Sequence, residues 1–365
     1  MEMKKKSIVF ILPSTHAGGG IRVIITLVNG LDNAGYNVYL YVYSDDGETR
    51  YKINDGVHVE HFKEPGNRKF LRVVGLFSII RKINKKHIND TIFITDQFAV
   101  IFSNLIRTNN IYRYVQADDY SSYDDLHILK FNFLLKLFKK QLIKINQNSQ
   151  SKVLFVSNYV REQYLLHGGR KENDRILNAP IAEGFYPLGI RRKNECNICI
   201  IGRIHKDKGF SDFIEAVKQL KNRNNINNIY VITPDNLEQY DTTGMKLLYA
   251  NSDSEMNEIY NMSHIFISTG RNEGYGLPGL EAMATGSACI LCDNGGVREY
   301  AEDGHNCILY KAMDIPALAN SIDWLISDKN AQTRFGKAGL VTASRYRESA
   351  FVDSFIEFLQ EDGII

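Results

Sequence analysis

Short apolar runs alternate with longer segments in which apolar residues recur every three or four positions, and this alternation organises the whole chain. The runs cover residues 7–12, 37–43, 57–62, 91–95, 111–115 and 152–156. After Pro180 they begin again at 196–201, 229–233, 246–250, 264–268 and 288–292. Most are continuously apolar, as parallel strands covered on both faces require. Between them Ile21, Ile24, Ile25, Val28 and Leu31 draw one stripe on a helix, as do Phe213, Ile214, Val217 and Leu220. Strand and helix alternating in both halves predict an α/β protein of two doubly wound, Rossmann-like parallel-sheet domains. The stretch 180–194, with Pro187, Gly189 and the charges Arg191, Arg192 and Lys193, reads as the linker. Ligands of such sheets sit outside the carboxyl ends of the strands.

A length of 365 residues suits two domains, each able to bury its own core. Hydrophobic residues at 44% and charged residues at 24% exclude a disordered or fibrous chain. Five cysteines, and an N-terminal apolar run cut short by Pro13, point to a cytoplasmic protein with reduced thiols. No stretch reaches the ~20 apolar residues needed to span a bilayer, so membrane contact would be peripheral. The net charge of +2 conceals a division, because residues 1–180 carry +9 and residues 181–365 carry −7. A positive half suits an anionic surface such as lipid headgroups or phosphorylated carriers, although the same arithmetic would suit nucleic acid.

Three elements at expected strand ends carry candidate chemistry. The first is Glu273-Gly-Tyr-Gly-Leu-Pro-Gly-Leu-Glu281, followed by Ala-Met-Ala-Thr-Gly286. Gly274 and Gly276 permit close backbone approaches, and Pro278 suits the start of a helix that Gly286 ends. Glu273 then falls on the strand-to-helix loop and Glu281 in the first helical turn, around a helix N-terminus suited to an anion bearing hydroxyls. A capped helix after a glycine-rich loop, with no ligand, has the same pattern. The second element is Gly202-Arg203-Ile-His-Lys-Asp-Lys208-Gly209. Arg203 through its fork and Lys208 as a point charge can clamp two phosphoryl oxygens, whereas the plain alternative is a solvated basic turn. The third is Gly18-Gly19-Gly20, where backbone amides can meet a substrate. Val23 occupies the position where Gly-x-Gly-x-x-Gly needs its last glycine, and no Gly-Lys-Ser/Thr follows, so dinucleotide and NTPase signatures are missing.

Together these elements resemble the retaining glycosyltransferases of family 4, which have the GT-B fold. The Glu273 to Glu281 motif matches that family's Glu-x7-Glu signature. Gly295-Gly296-Val-Arg-Glu299, Asp303-Gly304, Val156-Ser157-Asn158 and Asn178-Ala-Pro-Ile are further landmarks. The resemblance implies a domain over 1–180 completed by a C-terminal helix within 346–365, facing the acceptor, and a donor-binding domain over 181–345. It also implies roles. Arg203 and Lys208 hold the donor diphosphate as charge grows on it, Glu273 meets the donor sugar, and Glu281 binds the ribose hydroxyls. Tyr275, Gly276 and Leu277 offer backbone to phosphate or sugar. Asn251, with Ser252, lies against the base. Gly18, Gly19 and Gly20 border the reacting centre, Gly19 and Gly20 on the donor side. The departing phosphate takes the acceptor's proton, so no dedicated base is needed. The co-substrates implied are a nucleotide diphosphate-sugar and a glycan or lipid-linked glycan, with no nucleic acid.

The chain departs from the family where many relatives carry a His near the donor sugar, because here Gln116 follows Val115. Gln116 can position by hydrogen bonds and cannot act as a base. Asn178-Ala-Pro-Ile likewise replaces the commoner Asn-Gly-Ile/Val-Asp. His16, beside the glycines, is a candidate on the acceptor side. Cys196-x-x-Cys199 and Cys289-x-x-Cys292 look like metal knuckles, but residues three apart in a strand point to opposite faces. The chain has no Asp-x-Asp, so no metal and no other cofactor is expected. The basic, amphipathic stretches 68–86 and 130–152 suit either a sheet cover with a solvated cationic face or an anionic membrane surface. Trp324 is expected in the core. The rival readings are a non-catalytic nucleotide-sugar-binding partner protein and a GT-B epimerase or phosphorylase.

Overall fold

The computed structural model describes residues 6–16, 18–45, 51–63, 71–108, 110–118, 141, 144–145, 151–170, 174–192 and 194–365. Of the basic stretch 130–152, only Gln141, Lys144, Ile145, Ser151 and Lys152 fall among them. The chain forms two compact units, Met1–Asn178 with Ser349–Ile365, and Ala179–Glu348.

The first unit holds a wholly parallel sheet in the order β3-β2-β1-β4-β5-β6-β7. Its strands are β1 Ile8–Leu12, β2 Val38–Asp45, β3 His58–Lys63, β4 Thr91–Ile94, β5 Ile111–Val115, β6 Lys152–Phe155 and β7 Asp174–Ile176. Central strands such as β1, β4 and β5 are buried along their whole length, which is why β1 reads as an unbroken apolar run, while β5 buries Arg113 among apolar neighbours. The final helix, Glu348–Glu361, packs onto this unit. Phe355 meets Phe93 and Phe10 at ring distances of 5.1 and 6.3 Å, and Phe358 meets Tyr112 edge-on at 5.4 Å. Each ring buried this way contributes about 1.5–3 kcal/mol. Asp362 then accepts from the Tyr112 hydroxyl at 2.7 Å and the Lys152 ammonium at 2.9 Å, closing the end of the chain onto β5 and β6.

The second unit repeats the plan with β8 Asn197–Ile201, β9 Asn228–Ile232, β10 Lys246–Leu248, β11 Ile265–Ser268, β12 Ala288–Asp293 and β13 Ile308–Lys311. Their order is β10-β9-β8-β11-β12-β13, again all parallel. In each sheet the strand order reverses beside the first strand, between β1 and β4 and between β8 and β11. Those are the switch points where crevices open in doubly wound folds. β7 and β13, edge strands of three and four residues, lie outside the runs read from the sequence, and β7 has a single apolar residue, Ile176.

Three expectations need correction. The stretch read as a linker is tied into the second unit: Ile181 and Phe185 are buried, and the Ile181 amide donates to Tyr346 O at 2.7 Å. Arg191 is not a solvated linker charge, since its guanidinium donates to Ser263 O, Gly286 O, Tyr260 O, Thr285 Oγ1 and Ser287 Oγ. Burial pulls its pKa down, and the ring of carbonyl and hydroxyl acceptors compensates the buried charge. Trp324 is 44% exposed, with Phe335 edge-on at 5.8 Å, because its helix turns that position outward. The cysteines divide by face as their spacing requires: Cys196 and Cys292 join the cluster of Ile198, Ile290 and Tyr310, whereas Cys199 and Cys289 do not.

Candidate active site

In the second unit, the loops leaving β8 and β11 meet at the switch point. The β8 loop passes Gly202 and Arg203, makes a single 3-10 turn over Lys206–Lys208, and enters the helix Phe210–Lys218 through Gly209. Gly209 has φ of +62°, and a Cβ there would lie 2.2 Å from the Thr269 carbonyl oxygen, so this position accepts only glycine. That close approach is reinforced from both sides. Thr269 Oγ1 donates to Lys208 O at 2.8 Å, and the Arg271 amide donates to Asp207 O at 2.7 Å. Arg271 Nη2 and Nε bind Asp212 Oδ1 and Oδ2 at 2.6 and 3.2 Å, a fork onto a buried carboxylate. The β11 loop continues through Glu273, which bridges to Gly295 beyond β12.

This scaffold brings two of the expected residues together: Lys208 Nζ lies 2.8 Å from Glu273 Oε1, with 38% and 24% of the side chains exposed. Arg203 is held from a third loop. Its Nε donates to Asp235 Oδ2 at 2.9 Å, and the Ile204 amide donates to the same oxygen at 2.9 Å. Burial acts to raise the Asp235 carboxyl, but the Ile204 amide and Arg203 outweigh it and hold its pKa below the ordinary value.

Glu281 is placed differently from expectation. The helix runs Leu277–Ala284, so Glu281 lies in its second turn, buried, with the Tyr260 hydroxyl 3.4 Å from Oε2. The N-terminus of that helix offers fewer amides than its position suggests, since Pro278 has none and the Gly279 amide donates to Gly276 O at 3.1 Å. The Leu277 amide is the remaining candidate of the first three. Gly276 O also accepts from the Tyr300 hydroxyl at 2.6 Å, and burial pushes that hydroxyl's pKa far up, so it stays a donor. Tyr275 is buried, with its ring 5.8 Å from that of Tyr300. Asn251 is exposed just before the helix Asp253–Met262, its amide donating to Glu255 Oε2 at 2.5 Å.

In the first unit, Gly19 and Gly20 begin the helix Gly19–Asn33 and are exposed. A Cβ on Gly20 would lie 3.0 Å from Gln116 Oε1, so the residue after β5 borders the glycine turn. The Tyr51 hydroxyl is 3.4 Å from both the amide and the carbonyl oxygen of Gly18. His16 is exposed just before that turn. Tyr51, Asp212, Asp235 and Arg271 were not anticipated. Asp235 follows β9, which pairs with β8, so only the strand order puts it beside Arg203.

Two Rossmann-like parallel-sheet units with charged loops at a switch point define the GT-B class of folds. Residues 190–341 match the family model of glycosyl transferases group 1. The N,N'-diacetylbacillosaminyl-diphospho-undecaprenol alpha-1,3-N-acetylgalactosaminyltransferase of Campylobacter jejuni is 20% identical, over 94% of this chain and 96% of that protein. The capsular polysaccharide biosynthesis glycosyltransferase CapM of Staphylococcus aureus is 23% identical over 57% of this chain and 59% of its own length. EpsD of Bacillus subtilis is 31% identical over 28% of this chain, which spans 27% of that protein. Among solved structures, sucrose-phosphate synthase from Thermosynechococcus elongatus superposes with a TM-score of 0.81 at 15% identity, covering 98% of both chains. Anabaena HepE in complex with UDP and glucose gives 0.76 at 16% identity, over 97% and 99%. The structures establish the fold, and the family model with these relatives supports a glycosyltransferase of group 1.

Proposed function

We propose that this protein moves a sugar from a nucleotide diphosphate-sugar to a hydroxyl of a glycan or lipid-linked glycan, with retention of configuration, in the assembly of a bacterial cell-surface polysaccharide. The observation that carries this reading is the pairing of Lys208 with Glu273 at 2.8 Å across the loops that leave β8 and β11, with Arg203 carried on the first of those loops. As the glycosidic C–O bond breaks, negative charge grows on the diphosphate, and cations already in place stabilise it without reorganisation. Glu273 serves the sugar, Glu281 the ribose, the Leu277 amide a phosphate, and the segment at Asn251 the base. On the other unit, Gly18, Gln116 and His16 serve the acceptor and the sugar. Gln116 acts by hydrogen bonding, and the departing phosphate receives the acceptor's proton. The two cations take the place of a metal ion, so transfer should survive EDTA. A UDP complex of HepE and a diphospho-undecaprenol acceptor in the Campylobacter relative's name favour this pairing of partners.

The acceptor is met at an anionic membrane on the cytoplasmic side. No helix among the described residues is long and apolar enough to cross a membrane. The helix Leu71–Lys86 instead exposes Val74 and Phe77, at 44% and 45%, beside exposed Arg72, Arg81 and Lys85. Flotation with anionic vesicles should therefore bind the protein and release it with salt; equal behaviour with neutral vesicles would remove this partner.

The main test is a thermal-shift screen of UDP, GDP, dTDP and their sugars, followed by transfer from each stabilising donor and NMR of the product's anomeric signal. The reading fails if no such nucleotide stabilises the protein, or if Arg203→Ala with Lys208→Ala leaves the stabilisation intact.

A further inference from the structure

Lys208 and Arg203 are both held by carboxylates, but in different ways. Among the described residues Glu273 has one ion pair, with Lys208, whereas Asp235 Oδ2 receives two donors, the Arg203 Nε and the Ile204 amide, each at 2.9 Å. One oxygen thus fixes the backbone of the β8 loop and the plane of the guanidinium. Asp235 is itself anchored: its amide donates to Thr233 Oγ1 at 2.9 Å, and Thr233 Oγ1 donates to Asp235 O at 3.2 Å. The Asp235 side chain is 16% exposed and that of Arg203 45%. An exposed ion pair of this sort adds little to stability by itself. Engagement through Nε leaves both terminal nitrogens of the fork, and no ion pair or hydrogen bond of theirs is found among the described residues. Those two nitrogens form the edge that binds a phosphate bidentately.

We infer that Asp235 is the positioning residue of the donor site: it locks Arg203 so that the terminal edge of its guanidinium is presented to the diphosphate of the nucleotide. This rests on the proposed donor chemistry. Asp235 touches no reacting atom; it spares the donor the cost of ordering a long, otherwise mobile side chain.

The test compares binding of a nucleoside diphosphate with that of the matching nucleoside, by calorimetry, in the wild type and in Asp235→Asn, Arg203→Ala and the double variant. Asn can still accept from the Ile204 amide but lacks the charge that holds Arg203. Asp235→Asn should weaken diphosphate binding about tenfold, leave nucleoside binding unchanged, and have no further effect once Arg203 is Ala. A melting temperature within a degree or two of wild type would accompany this. Unchanged or tighter diphosphate binding in Asp235→Asn would overturn the inference, showing that Asp235 merely competes with phosphate for Arg203. An equal loss for nucleoside and diphosphate, or a loss that persists in the Arg203→Ala background, would reduce Asp235 to a structural residue. If the wild type binds no nucleoside diphosphate, the donor reading itself fails and takes this inference with it. Tight wild-type binding that ignores Asp235 sinks the inference alone.

Discussion

The two glycine-bearing loops that follow the first strand of each sheet sit at equivalent switch points and are built in opposite ways. The loop after β8 is cross-linked: Arg271 grips Asp212, Thr269 holds the Lys208 carbonyl, Asp235 holds Arg203, and Lys208 meets Glu273. The loop after β1, residues 13–18, carries His16 but no Asp, Glu, Lys or Arg. Gly19 and Gly20 are exposed, Gln116 borders Gly20, and the Tyr51 hydroxyl lies at 3.4 Å. Fixed charges suit a ligand whose charge changes during reaction, because preorganisation removes the cost of turning dipoles at that moment. Neutral, open backbone suits a ligand that is recognised by hydroxyls and must come and go.

The contrast predicts unequal responses to substitution. Lys208→Ala should reduce transfer by about 10²–10³-fold, while Glu273→Ala should lose transfer yet keep part of its nucleotide affinity. Steady-state rates with parallel calorimetry would decide, and full turnover in Lys208→Ala would erase the distinction between the loops. Arg271→Ala strips a buried carboxylate of its partner and should cost about 2–3 kcal/mol in urea unfolding. An unchanged midpoint would mean that the cross-links are ornamental to the fold.

On the side of the β1 loop, Gln116→Ala should lower turnover about tenfold, through positioning rather than proton transfer, with no change in the pH profile. Retained turnover would remove Gln116 from the site. The smallest effect is expected far from both loops, at Asp362. Burial raises its carboxyl, but the bonds from Tyr112 and Lys152 more than offset this, so its folded pKa lies below the unfolded value. Its contribution to stability is therefore present above the ordinary carboxylate pKa and is lost as pH falls through the depressed folded value. Asp362→Asn should lower the melting temperature slightly near neutrality and flatten its decline in acid. A melting curve series whose acid limb is unaltered would dismiss that pair.

Most strands were legible because a buried parallel strand is written locally, as a run of apolar residues between turn formers. The edge strand β7 was not, since its three residues, Asp174-Arg-Ile, carry no such run. Glu281 was placed one turn too early in its helix, because proline signals the start of a helix only to within a residue or two and the register depends on where Gly276 caps it.

What the sequence determined by itself was which residue types stand at each strand end: two cations, two carboxylates and a glycine turn, each carried on a few adjacent residues. What only the tertiary structure decided was pairing. Asp235 and Asp212 lie 32 and 59 residues from the arginines they hold, and Arg191 lies 69 to 96 residues from its five acceptors. Such contacts follow from which strands stand side by side. That order is set by the handed packing of whole crossover units, and no local pattern of residues records it.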